Sequence, residues 1–304
     1  MNTSMYEYIR TIVSDERLLF HEPMSKYTTF RVGGEAECMV IVQTEEELAK
    51  LIPYLNQIEQ EYFILGNGSN LLVGDKGYRG IIVKLGGPME DVHVEGCRVV
   101  AGAGALLSKT AAAARANSLT GMEFAAGIPG SMGGAIVMNA GAYDGEMKQI
   151  VESVRVMNRD GQIMTLDNDT MEFGYRTSII KNRPFIVLEA SLRLAAGDEA
   201  QIGARMEELA RLRKSKQPLE YPSAGSTFKR PYGYFAGKLI MEAGLSGLRV
   251  GGAKVAEKHC GFVVNDKDAT AADVAALIAK VQAVVWEKHG VRLSPEIRFL
   301  GKFD

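Results

Sequence analysis

A chain of 304 residues, 46% hydrophobic and 24% charged, is long enough for about two packed domains and is neither collagen-like nor low-complexity. Lys plus Arg (35) nearly balances Asp plus Glu (37), giving a net charge of −2, which argues against a general nucleic-acid or membrane-surface binder. Glycine is in surplus, with 33 residues, and 17 of them lie between Gly66 and Gly145.

The opening MNTSMYEYIR lacks the apolar run of a signal peptide. The three cysteines (Cys38, Cys97, Cys260) form no CxxC pair, and the four histidines are scattered. The expectation is a reduced, cytoplasmic protein without a metal centre. Residues 124–143 are uncharged over the length of a membrane span, but five Gly and a Pro among them predict folded backbone instead.

In chain order, CMVIVQ (38–43) reads as a strand and residues 44–59 as a helix. Thr44 and Glu47 have capping-box spacing, Leu48, Leu51, Leu55 and Ile58 form an apolar stripe, and Pro53 is expected to kink or shorten the helix. YFIL (62–65) and GIIVKL (80–85) are strands around a glycine-rich turn, closing a first domain at residues 1–86. A second domain, 87–197, holds the strand-like HVEGCRVVAGAG, the Ala-rich helix LSKTAAAARANSL and strands near 152–157 and 186–194. The third, 198–304, begins with a helix over 198–216 carrying Ile202, Met206 and Leu209 on one stripe. It contains a second long helix with Thr270 at the cap, Asp273 at the third position and Gly290 at the stop. No low-complexity linker or repeat separates the three.

Three glycine segments invite a ligand reading. Gly102-x-Gly104 is a partial dinucleotide fingerprint, but Leu107 stands at the third position, so it reads as a tight strand-to-helix turn. Gly66-Asn67-Gly68-Ser69-Asn70 combines two glycines with short uncharged polar side chains, a nest suited to a pyrophosphate; an ordinary turn is the other reading. Gly127-Ile128-Pro129-Gly130-Ser131-Met132-Gly133-Gly134, followed by Asn139-Ala140-Gly141, is a second such segment about 60 residues on. Two such segments can embrace one extended cofactor. In this order and spacing they resemble the FAD-binding domain of the vanillyl-alcohol-oxidase (PCMH) type. That resemblance implies an α+β fold with the flavin pyrophosphate between two α+β subdomains, followed by a C-terminal α+β substrate domain.

Three further segments bear on the reaction. Arg176 in FGYRTS offers a planar donor fork for a carboxylate, or is a surface charge. Ser226 in PSAGSTFK has no GxSxG elbow and no nearby triad histidine, so it caps a turn or donates a proton rather than accepting an acyl group. In SPEIRFLG, a strand would put Glu296 and Arg298 on one face and Ile297 and Phe299 on the other, toward the core; a solvent-facing ion pair is the alternative.

Behind the glycine segments, GYR, GSTFK and PEIRF resemble the UDP-N-acetylenolpyruvoylglucosamine reductase family from about Tyr27 to the C-terminus. The resemblance implies NADPH as reductant, non-covalent FAD, and reduction of the enolpyruvyl ether on UDP-N-acetylglucosamine in peptidoglycan precursor synthesis. It places the catalytic Arg on Arg176, the proton-donating Ser on Ser226 and the catalytic Glu on Glu296. Flavin contacts fall on the two glycine segments, and substrate contacts on Tyr175, Arg213, Lys216, Lys229 and Arg298. The short stretch between Phe173 and Ile186 matches the family's shorter class, which lacks a Tyr-bearing substrate loop. The implied partner is a small molecule, with no nucleic acid, membrane or obligate protein partner. Another flavin oxidase of the same fold, or a non-catalytic nucleotide-sugar or flavin-binding module, are the rival readings.

Overall fold

Short apolar runs become the strands of two main sheets in the computed structural model, which describes residues 3–303. The chain divides into two units. The first takes the residues up to Phe20, Cys38–Asn67 and Gly80–Leu212; the second takes His21–Glu37, Gly68–Arg79 and the chain from Arg213. Residues 21–37 and 68–79 thus leave their sequence neighbours to join the C-terminal unit.

In the first unit, helix α1 (Thr3–Arg10) buries Met5, Tyr6 and Ile9. A four-stranded sheet has the order Leu18–Pro23, Glu35–Val42, Tyr78–Leu85, Tyr62–Leu65, the last two parallel with Ile64 opposite Val83. Helix α2 (Glu45–Gln57) starts at Thr44, whose hydroxyl accepts the Glu47 N–H at 3.2 Å. Leu48, Leu51, Ile52 and Leu55 are fully buried, whereas Ile58 lies past the last turn and is exposed. Pro53 does not end the helix. The turn that follows it is held by buried Leu55, and Asn56 Nδ2 donates to the Arg159 carbonyl at 3.0 Å.

Glu47 does more than occupy a capping-box position. Arg17 grips its carboxylate with two donors, at 2.6 and 2.8 Å, and the Gln43 N–H donates to it at 2.8 Å. Burial opposes its ionisation, but the Arg17 bonds, the Gln43 N–H and the Arg17 charge together hold the carboxyl below the usual glutamate range. A depressed folded-state pKa gives stability that is present above the unfolded value and lost as pH falls through the folded one. Glu47→Gln is expected to cost about 2 kcal/mol at neutral pH, with the difference from wild type shrinking at acidic pH. Urea titrations at both pH values check this.

The second sheet is antiparallel throughout: Ile163–Asp167, Val151–Met157, Ile186–Arg193, Arg98–Gly102, Val92–Glu95. Period-two alternation buries Val154 and Val156, Leu188, Ala190 and Leu192, and Val99 and Ala101 on one face. Helix α3 (Leu107–Ala116) adds Leu107, Ala111 and Ala114 to that core, and helix α4 (Met132–Met138) adds Met132 and Ile136. The uncharged glycine stretch therefore contains a seven-residue helix, and among the described residues no helix is long and apolar enough to cross a membrane. Helix α5 (Glu199–Lys216) buries Ile202 and Leu209.

In the second unit, helix α6 (Ala236–Glu242) and a three-stranded antiparallel sheet (Arg249–Val250, Ala253–Val255, Val263–Asn265) pack on helix α7 (Ala271–His289). Val274, Leu277, Ile278, Val281 and Val285, at three- and four-residue spacing, are the buried face of α7. Thr270 and Asp273 close a reciprocal capping box, and Gly290 takes the left-handed stop at φ 65°. The Asp75 carboxylate also accepts the Ala271 and Ala272 N–H groups, each at 2.8 Å. A last strand, Arg298–Leu300, pairs in parallel with Leu71–Val73.

Candidate functional site

The three glycine segments differ in what their backbone N–H groups do. Those of Gly102, Ala103, Gly104 and Ala105 all donate to protein carbonyls, of Asp91, Leu188, Met89 and Gly102 respectively. That turn is a closed piece of framework and offers a ligand nothing. By contrast, among the described residues no protein acceptor takes the consecutive N–H groups of Asn67, Gly68, Ser69 and Asn70. Gly68 has φ 61°, and a β-carbon there would lie 1.8 Å from the Tyr27 carbonyl oxygen, so only glycine fits. Four consecutive N–H donors in a short polar loop suit a diphosphate.

Within the first unit, the third segment meets Gly66 and Asn67 of the second. Asn67 Nδ2 donates to the Pro129 carbonyl at 3.3 Å, and a β-carbon on Gly66 would sit 2.6 Å from Ser131 Oγ. Two segments some 60 residues apart therefore lie side by side, as one elongated cofactor would require. The Met132 and Gly133 N–H groups of the third segment donate to Ala105 and Ala103, and Gly130 accepts from Leu107. Ser131 is buried and accepts the Gly134 N–H at 3.4 Å, capping α4. Gly127, Pro129 and Gly134 stay exposed. Backbone N–H groups of this segment are thus partly spent on its own framework, whereas those of Asn67 to Asn70 are not. The residues present fit a flavin dinucleotide.

Gly141 and Arg176 also belong to the first unit. Gly174 and Thr177 exchange backbone hydrogen bonds at 3.1 and 3.3 Å, closing a tight turn over Tyr175 and Arg176. Arg176 takes φ 54° at the position where such turns favour glycine. Its Nη1 donates to the Gly141 carbonyl at 3.4 Å, its carbonyl accepts from Lys181 Nζ at 3.4 Å, and its guanidinium lies 5.6 Å from the exposed Tyr175 ring. Asn139, with φ 42°, is buried; its Oδ1 accepts the Lys148 N–H at 2.9 Å and its Nδ2 donates to the Gly174 carbonyl at 3.1 Å. Ser178 Oγ donates to the Val137 carbonyl at 3.0 Å.

In the second unit, the Ser226 segment runs between two others. On one side the Thr227 N–H donates to the Gly261 carbonyl and the Val263 N–H to Thr227 Oγ1, both at 2.9 Å. On the other, the Glu296 N–H donates to the Thr227 carbonyl at 2.8 Å and the Lys229 N–H to the Ser294 carbonyl at 2.9 Å. Thr227 and Phe228 are buried, while Ser226 is exposed. Glu296 and the Ser226 segment are thus brought together. Asn70 joins them: its Nδ2 donates to the Glu296 carbonyl at 3.2 Å, and its own carbonyl accepts the Arg298 N–H at 3.0 Å. The expected core-facing pair holds only in part, since Ile297 is buried but Phe299 is 44% exposed and lies against the Phe303 ring at 5.4 Å. Arg298 and Phe299 are both exposed in this three-residue strand, which pairs in parallel with Leu71–Val73.

Arg213 and Lys216 sit in the last turn of α5. His259 is a framework residue: its Nδ1 accepts the Gly261 N–H at 3.1 Å, and its ring meets Phe262 edge-on at 4.9 Å. Burial lowers its pKa below the ordinary histidine range. Sequence reasoning missed the roles of Asn70 and Asn139 as backbone ties; the one available signal was an asparagine next to glycines, which equally fits a ligand contact.

Residues 36–167 match the FAD binding domain family, and residues 217–300 match the C-terminal domain of UDP-N-acetylenolpyruvoylglucosamine reductase. The chain is 51% identical over 306 residues to the UDP-N-acetylenolpyruvoylglucosamine reductase of Lachnoclostridium phytofermentans, covering 99% of both chains. It is 51% identical over 298 residues to that of Caldanaerobacter subterraneus subsp. tengcongensis, covering 98% of both. The crystal structure of the Thermus caldophilus enzyme of the same name superposes with a TM-score of 0.80 at 37% identity, over 93% of this chain and 98% of that one.

Proposed function

This chain belongs to the UDP-N-acetylenolpyruvoylglucosamine reductase family, and we propose that it reduces the enolpyruvyl group of UDP-N-acetylglucosamine-enolpyruvate to UDP-N-acetylmuramate, with NADPH as reductant. The observation that carries this reading is 51% identity over 99% of the chain. The setting is cytoplasmic, and the partners are small molecules alone.

Bound FAD supplies the hydride carrier between NADPH and the enolpyruvyl carbon. The N–H groups from Asn67 to Asn70, which no protein acceptor takes among the described residues, would hold its diphosphate, and Gly127 to Gly134, with Ala140 and Gly141, are the other residues that would contact it. Hydride addition to the terminal alkene carbon pushes charge onto the neighbouring carbon and its carboxylate. Arg176 holds that carboxylate and offsets the charge as it develops. Ser226 delivers the proton to the α-carbon; a free hydroxyl is a weak acid, so the substrate's own developing anion must drive the transfer. Glu296 stabilises or relays within this chemistry. Tyr175, Arg213, Lys216, Lys229 and Arg298 contact the substrate's carboxylate and diphosphate.

One assay tests the reading. The purified protein should show a flavin spectrum and oxidise NADPH at a rate that rises on adding the enolpyruvyl substrate, with stoichiometric saturated product. A yellow protein with no substrate-dependent NADPH oxidation overturns it. Turnover with oxygen and another donor would point to a different oxidase.

A further inference from the structure

Asn139 lies in the second glycine segment, where an asparagine beside a flavin reads naturally as a ligand contact. Its geometry speaks for something else. The residue is 2% exposed and terminates α4 in the left-handed region, at φ 42°, a conformation asparagine tolerates better than most residues. Both ends of its amide are engaged by main chain: Oδ1 by the Lys148 N–H and Nδ2 by the Gly174 carbonyl. Gly174 is the first residue of the turn that carries Arg176, and its carbonyl is also the acceptor that closes that turn through Thr177. At the far end of the turn, buried Ser178 is tied to the Val137 carbonyl of the same helix. Two side-chain bonds from opposite ends therefore clamp the Arg176 turn onto the C-terminal end of α4. The turn needs a clamp, because Arg176 sits at a positive φ that costs an L-residue about 1 kcal/mol or more.

We propose that Asn139 is a positioning residue for Arg176 rather than a ligand of the flavin. It fixes Gly174, and through it the direction in which the guanidinium leaves the turn. This rests on the functional reading above only for the identity of the reaction that Arg176 serves.

The test is Asn139→Asp, which keeps the left-handed tolerance and the acceptor for Lys148 but removes the donor to Gly174. Expected are an FAD dissociation constant and a rate of flavin bleaching by NADPH within about twofold of wild type. Reoxidation by the enolpyruvyl substrate should fall 10- to 100-fold, and amide exchange should rise in the 173–181 peptide alone. In an Arg176→Ala background, Asn139→Asp should slow reoxidation no further, since the group it positions is gone. Ser178→Ala, at the other end of the clamp, should give a milder version of the same pattern and serves if the Asp variant does not fold. Weaker FAD binding with parallel loss of both half-reactions overturns the proposal in favour of a flavin ligand. Equal losses in both Arg176 backgrounds overturn it in favour of general packing. Wild-type protein that binds FAD and oxidises NADPH yet ignores the enolpyruvyl substrate overturns the functional reading instead; the FAD affinity and exchange measurements still decide the role of Asn139.

Discussion

Ser226→Ala is expected to bind FAD and accept electrons from NADPH at wild-type rates while reoxidising with the enolpyruvyl substrate about 10³-fold more slowly. The size follows from the loss of a positioned proton donor, which is worth roughly 10²–10⁴-fold. The selectivity follows from the structure. Ser226 is exposed, and the framework bonds on either side of it are made by the Thr227 and Lys229 backbone and the Thr227 hydroxyl, so alanine removes one oxygen and nothing that holds the segment. Stability should therefore stay within about 0.5 kcal/mol of wild type. Rapid-mixing absorbance measurements, with each half-reaction followed separately, give the result directly. Equal slowing of both would remove Ser226 from proton transfer and give the segment a binding role. Ser226→Cys, which restores a donor of different reach, should recover part of the lost rate.

Parts of this arrangement were legible in the sequence for identifiable reasons. Thr44, Thr270 with Asp273, and Gly290 are local signals: the cap chemistry and the left-handed stop act within a few residues, and each is realised where the sequence puts it. The proximity of the two glycine segments, Gly66 against Ser131, followed from their shared chemistry rather than from any periodicity. Other features depend on information that a local pattern does not hold. Phe30 and Leu72 lie beside residues of the first sheet in sequence but are buried with Leu239 and Val263 in the second core, because an apolar residue does not state which core it joins. Helix α6, seven residues long and preceded by Phe235 rather than a capping side chain, leaves almost no periodic trace. Pro53 is tolerated because packing of the flanking leucines outweighs one missing hydrogen bond. Asn70 and Asn139 were identified as important positions, but composition alone does not say toward what an amide is turned. In both cases the partner is the backbone of a segment carrying a proposed catalytic residue, Glu296 or Arg176.

Arg176 offers the sharpest separation of stability from activity. At φ 54° it holds a conformation in which a β-carbon is unfavourable by about 1–2 kcal/mol, so glycine is the residue the backbone prefers there. Arg176→Gly should accordingly be about 1 kcal/mol more stable than Arg176→Ala, whose β-carbon keeps the strain while the guanidinium is lost. Both should lose reoxidation by the enolpyruvyl substrate to the same extent, about 10²–10³-fold, the scale of removing one preorganised donor from a developing oxyanion. Arg176→Lys should recover less than a tenth of the lost rate: an ammonium keeps the charge but not the planar fork that meets a carboxylate with two parallel bonds. Thermal melts of the three variants, set beside their half-reaction rates, check both statements at once. Should the glycine variant prove less stable than the alanine one, the turn is not strained by Arg176, and the clamp from Asn139 and Ser178 has nothing to hold against. Should the lysine variant match wild type, bare positive charge suffices, and the unusual backbone at this position has an origin other than the aim of the guanidinium. If both statements hold, the strain at Arg176 is carried between two buried ties, Asn139 to Gly174 and Ser178 to Val137, and the turn is built for a fixed donor rather than for a stable loop.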